Sequence, residues 1–93
     1  MQFSYLMVFL QTLLVLLTEK EGKMNKQSVK SSNINSIGYD LETRTLEIEF
    51  HSGGVYQYYN VPENIYRGLM NADSYGSYFH KNIKSNYKYK KLK

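Results

Sequence analysis

A chain of 93 residues has room for one hydrophobic core and not for two. It contains no cysteine, which excludes disulfide staples and thiolate metal sites, so its stability must come from packing of its ten tyrosines, four phenylalanines and aliphatic residues. The net charge of +4 is unevenly spread: residues 1–73 carry six basic and eight acidic side chains, whereas residues 74–93 carry six lysines and no acid.

The first element is apolar. No charged side chain occurs between Gln2 and Thr18, and the run from Phe3 to Leu17 predicts a separate N-terminal helical segment that wants burial. It lacks the basic start and small-residue cleavage site of a secretory signal. Interrupted by Ser4, Gln11 and Thr12, it is also short against the roughly 20 predominantly apolar residues that span a bilayer. Three readings fit. Residues 3–18 anchor the chain in a membrane, with Lys20, Lys23, Lys26 and Lys30 holding the domain on the cytoplasmic side. Alternatively Met24 is the biological start and the upstream residues an over-extended reading frame, or the segment is an added packing helix. In each reading residues 1–23 are an apolar segment with a polar linker, residues 24–93 are a domain with a basic tail, and the domain is expected in the cytoplasm.

From Ser31 the apolar period becomes two. Ile37 and Tyr39 alternate with Ser36, Gly38 and Asp40, and Leu46, Ile48 and Phe50 alternate with Glu47, Glu49 and His51, the pattern of two half-buried strands joined by the polar turn Asp40–Arg44. One face is apolar and the other acidic. A three-residue loop over Ser52–Gly54 then pairs Phe50 with Tyr56 and Ile48 with Tyr58, which turns both tyrosines toward the apolar face. A slip by one residue would move them among the glutamates. Tyr56 and Tyr58 are therefore read as core before any stacking role.

Pro62 opens a helix with Asn60 as its cap and Ile65, Leu69 and Met70 on one face. Ser74 caps a second helix whose stripe is Tyr75, Tyr78, Phe79 and Ile83. The expected class is α+β, a three-stranded antiparallel meander followed by two short helices packed on one face.

The ordered blocks Ile37-Gly-Tyr-Asp, Thr45-Leu-Glu-Ile-Glu-Phe, Gly54-Val-Tyr-Gln-Tyr, Val61-Pro and Ala72-Asp-Ser-Tyr-Gly-Ser-Tyr-Phe resemble the KTSC domain, a short module named for its occurrence at the C-terminus of some lysyl-tRNA synthetases. The resemblance runs from about Ser31 to Leu92 and includes a Tyr-x-Tyr motif at Tyr56-Gln57-Tyr58. It implies a stand-alone or appended bacterial or phage module for which RNA binding has been proposed, and it brings no catalytic residues.

The residues themselves offer catalysis little. There are two histidines, His51 and His80, no carboxylate pair that spacing alone would juxtapose, and no phosphate-binding glycine loop. Glu47, Glu49 and His51 form an i, i+2, i+4 ladder with metal-ligand chemistry, but the plainer reading is a solvated outer face. No cofactor and no metal are expected. Two binding sites are. Ser74 and Gly76 at a helix start, with His80 and Lys81 one turn on, suit an anion. Lys81, Lys84, Tyr87, Lys88, Tyr89, Lys90 and Lys91 suit RNA or another nucleic acid, lysines on phosphates and tyrosines on bases. If most of the six tail lysines bound phosphates, log affinity would fall against log salt with a slope of roughly −4 to −5 on a duplex. The competing expectations are a protein partner docked on exposed tyrosines and an edge strand, and a membrane-tethered adaptor whose tail touches anionic lipid.

Overall fold

The computed structural model describes residues Met24–Lys93, and the apolar segment 3–18 with its expected helix lies outside them. The strands are β1 (Lys26–Ser28), β2 (Ile34–Asp40), β3 (Thr45–Phe50), β4 (Val55–Tyr58) and β5 (Tyr89–Lys91), and the helices α1 (Glu63–Met70) and α2 (Tyr75–Asn82). All strands pair antiparallel in chain order, so the expected three-stranded meander is the centre of a five-stranded sheet. Both additions are three-residue edge strands with exposed side chains, too short and too polar to carry an alternating apolar signature. No helix among the described residues is long and apolar enough to cross a membrane.

The central hairpin follows its hydrophobic pattern. Ile37 faces Ile48, Tyr39 faces Leu46 and Asp40 faces Thr45, leaving Leu41–Arg44 as the turn. One irregularity departs from the period of two: a bulge between Ile34 and Ser36 gives Asn35 no opposite residue. It lets Ile34 and Ile37, three residues apart, both enter the core at 0% and 1% exposure. Asn35 then donates from Nδ2 to Glu49 Oε1 at 3.0 Å, and the Ser36 hydroxyl donates to the same oxygen at 3.1 Å. These hydrogen bonds hold the Glu49 carboxyl below the ordinary carboxylate range.

The β3–β4 register differs from expectation by two residues. Ile48 faces Tyr56 and Leu46 faces Tyr58, where the sequence pairs Phe50 with Tyr56 and Ile48 with Tyr58. The loop does have three residues, but they are His51–Gly53, because Gly53 rather than Gly54 takes the left-handed conformation at φ 102°. Phe50 N–H then donates to Gly54 O at 2.9 Å, and Gly53 N–H closes on Phe50 O at 2.9 Å. A shift of two preserves the face, so both tyrosines still point to the apolar side.

The outer face is less open than a solvated acidic surface. Lys26 lies opposite Gly38, where an added Cβ would come within 2.9 Å of the Lys26 Cγ, so glycine there permits the close crossing. The lysine Nζ reaches Glu47 Oε2 at 3.1 Å, and Gln57 Nε2 donates to Glu47 Oε1 at 2.9 Å. Glu47 is thus buried in an ordered polar ladder, and no cluster of His, Asp and Glu disposed for a metal ion occurs among the described residues.

Both helices contribute to one core with the sheet, through Leu69 of α1, Phe79 of α2 and Ile83 just beyond it. Asn60 does not cap α1. It sits at φ 58°, turning the chain sharply before Pro62, and the Pro62 carbonyl accepts the first helical N–H groups, from Ile65 at 3.0 Å and Tyr66 at 3.3 Å. Tyr39 anchors this entry by stacking on Tyr66, centroids 4.5 Å apart, while its hydroxyl donates to Val61 O at 2.6 Å. Ser74 caps α2 as expected, its hydroxyl oxygen accepting from Ser77 N–H at 3.2 Å.

Candidate functional site

The segment after α2 decides the site. Residues Tyr89–Lys91 return to the sheet and pair with β4 in the register Tyr56 with Lys91, Gln57 with Lys90 and Tyr58 with Tyr89. Tyr59 N–H donates to Lys88 O at 2.9 Å, and Leu92 N–H to Val55 O at 2.7 Å, so the basic tail is tied down as an edge strand at both ends. Alternation across a strand then sorts its side chains. Tyr89 and Lys91 share the inner face with Tyr56 and Tyr58, and Lys90 shares the outer face with Gln57.

That inner face forms an aromatic surface. The rings of Tyr56, Tyr58 and Tyr89 lie 5.6–6.4 Å apart, centroid to centroid, and Phe79 of α2 meets Tyr58 edge-on at 5.4 Å. Lys91 Nζ stands 5.9 Å from the centroid of the Tyr56 ring, within reach of a cation–π contact. Above the rings opens a cavity of about 810 Å³. Its floor is Phe50, Tyr56, Tyr58 and Tyr89; α2 supplies Gly76 and His80 on one side, followed by Lys84 and Tyr87, and the β3–β4 loop supplies His51 and Ser52. His51 Nε2 lies 2.9 Å from the Ser31 carbonyl, which can only accept, so this nitrogen carries the proton.

Tyr58 is the most enclosed of these groups, at 3% exposure. Burial, assisted by the neighbouring Tyr56 and Tyr89, pushes its phenol up to about 12. Its hydroxyl has no hydrogen-bond partner among the described residues, where no fully enclosed side-chain oxygen or nitrogen is left unpaired. The oxygen therefore keeps an opening, and the cavity is what Tyr58 lines.

A second, smaller cavity of about 470 Å³ adjoins the first and shares Ser32, Asn33, Gly76 and His80 with it. Here Ser74, Gly76, His80 and Lys81 come together, joined by Lys30 from the other end of the chain and by Asp73. The Ser74 hydroxyl is engaged as the cap. Of the expected nucleic-acid residues, Lys84, Tyr87 and Tyr89 line the large cavity and Lys91 borders it. Lys90 alternates to the opposite face, and Lys88 lies just before the strand, outside the lining of the large cavity. Phe50, Tyr56, Tyr58 and His51 belong to the cavity but were assigned to core and loop by pattern alone. The Tyr-x-Tyr spacing was the available signal, since it places two rings side by side on one strand face.

The model of the KTSC domain matches residues 30–87. The chain is 46% identical over 63 residues to a lysine–tRNA ligase of Trichormus variabilis, a match that spans 68% of this chain and 11% of the ligase. It is 40% identical over 67 residues to an uncharacterized protein of Stutzerimonas stutzeri, covering 71% of this chain and 94% of that one. The crystal structure of a KTSC domain protein from Yersinia pestis superimposes with a TM-score of 0.74 at 44% identity, over 76% of this chain and all of the other.

Proposed function

The chain belongs to the KTSC domain family, and from that premise and the aromatic groove we propose that it is a small non-catalytic module binding single-stranded RNA. One observation carries the reading: β5 sets Tyr89 and Lys91 beside Tyr56 and Tyr58 over a cavity that Lys84 also lines. The exposed Tyr89 ring and the half-buried Tyr56 ring give bases a stacking surface worth roughly 1–3 kcal/mol per base, and the lysines at its margins meet the phosphates that follow. Similarity to a segment of lysine–tRNA ligases is in keeping with an RNA ligand. The adjoining cavity at the start of α2 adds Lys30 and Lys81, beside His80 and Asp73. RNA duplex fits less well, because its bases are stacked away from any ring.

A protein partner added as a strand to the sheet is the weaker reading. The free edge at β5 carries Lys88, Lys90, Lys91 and Lys93 in and around a three-residue strand, and lysines on a short edge strand oppose edge-to-edge pairing.

Splitting the lysines between two faces lowers the expected number of phosphate contacts from about six to three or four. On single strands that corresponds to a log–log salt slope of roughly −2 to −3. Fluorescence anisotropy with labelled single-stranded and duplex RNA across a salt series tests the proposal. Preference for the single strand with that slope supports it, and no measurable binding at low salt refutes it.

A further inference from the structure

We infer that the Tyr58 hydroxyl reads the edge of one unstacked nucleobase held in the groove, which makes Tyr58 the specificity-determining residue of the RNA site. The inference rests on the RNA reading above and adds to it the group that distinguishes a base from a bare phosphate chain.

Two partly buried tyrosines give their hydroxyls to protein acceptors: Tyr39 donates to Val61 O and Tyr59 to Gln57 Oε1. Tyr58 is more enclosed than either, and it lines the cavity. A phenylalanine at this position would keep the contacts with Phe79, Tyr56 and Tyr89 and lack only the hydroxyl that opens on the cavity. That oxygen is the polar group which the most enclosed ring of the groove offers to anything entering the cavity. The entrant must be flat, because the neighbouring surfaces are ring faces and edges. It must carry a hydrogen-bonding group at its rim, because a neutral phenol donates one hydrogen bond and can accept another. It must also be attached to negative charge, because Lys84 and Lys91 stand at the border. A nucleobase on a phosphate backbone meets all three conditions. A cavity of about 810 Å³ is large enough for a nucleotide.

The test compares the wild-type chain with Y58F on labelled decanucleotides of uridine, of adenosine and of cytidine, and on a decamer of abasic sugar-phosphate. Loss of one hydrogen bond predicts that Y58F binds at least one of the base-bearing oligomers about five- to tenfold more weakly. Its affinity for the abasic oligomer, its salt slope and its urea midpoint should match the wild type. In the wild type, without any substitution, the Tyr58 ring resonances should shift on titration with the preferred oligomer and stay in place with the abasic one. Equal affinity of Y58F and wild type for all three bases, or equal weakening on the abasic chain, overturns the inference and leaves RNA binding standing. No binding of any oligomer by the wild type overturns both.

Discussion

Replacing Tyr89 by alanine separates two pictures of the basic C-terminus, a free arm and a strand built into the sheet. On a free arm the change would be silent for stability. In the structure Tyr89 is 58% exposed, so about two fifths of its surface is covered. At roughly 1.5–3 kcal/mol for a fully buried large side chain, that fraction is worth about 0.6–1.3 kcal/mol. The ring also meets Tyr56 at 5.9 Å and Tyr58 at 5.6 Å, both tilted; such pairs contribute about 0.5 kcal/mol each at the low end of their range. The expected loss is therefore about 2 kcal/mol. With a urea dependence of about 1 kcal/mol per molar for so small a domain, the midpoint should fall by about 2 M. Lys90, on the opposite face of the same strand, is the control: K90A should change stability by less than about 0.5 kcal/mol. Equal urea midpoints for Y89A and wild type would refute the strand, and with it the grouping of Tyr89 with Tyr56 and Tyr58.

Four further outcomes follow. G53A should destabilise by about 1–2 kcal/mol in urea titration, because the residue sits at φ 102° with open space around it and the cost is conformational alone. The folded Tyr58 phenol titrates near 12 against its ordinary 10.0, so its neutral form contributes stability that is complete below pH 10 and is lost as pH rises toward 12; urea midpoints of Y58F should lack that alkaline loss. Glu49 titrates below its ordinary 4.5, so its ionised form contributes stability above that pH which disappears as the medium is acidified through the lowered value, and E49Q should flatten the acid limb of the stability curve. A chain lacking residues 1–23 should retain the cooperative unfolding and urea midpoint of the whole, since the family match begins at residue 30 and the buried core is assembled from Ile34 onward.

Legibility in the sequence tracks the periodicity of burial. The β2–β3 hairpin could be read because Ile37, Tyr39, Leu46 and Ile48 alternate without interruption and pair as they alternate. The helices could be read because Pro62 and Ser74 mark their starts and Leu69, Phe79 and Ile83 fall on buried faces. Ile34 was not legible, since the bulge at Asn35 breaks the period at the residue that would have announced it. The two adjacent glycines, Gly53 and Gly54, offered two places to turn, and composition does not say which adopts positive φ. The edge strands were invisible for a different reason. Lys26–Ser28 and Tyr89–Lys91 contribute no fully buried side chain, and are held by backbone pairing to strands that do.

That last point bears on the site more than on the fold. A lysine-rich tail read as sequence is a cloud of charge in which every lysine counts equally and the tyrosines among them are interchangeable. Pairing with β4 imposes a period of two on that tail, after which Tyr89 and Lys91 belong to the groove and Lys90 does not. The same pairing carries Tyr89 over Tyr58, so the strand that presents the charge also encloses the phenol, and the two cannot be varied independently. Alanine at Lys91 should therefore weaken RNA binding more than alanine at Lys90, even though the two are adjacent and equally charged. A difference of one phosphate contact amounts to about 0.7 in the single-strand salt slope. Equal slopes for K91A and K90A, measured by anisotropy on one uridine decamer, would return the tail to the status of an unoriented arm and remove the groove's positive border from the argument.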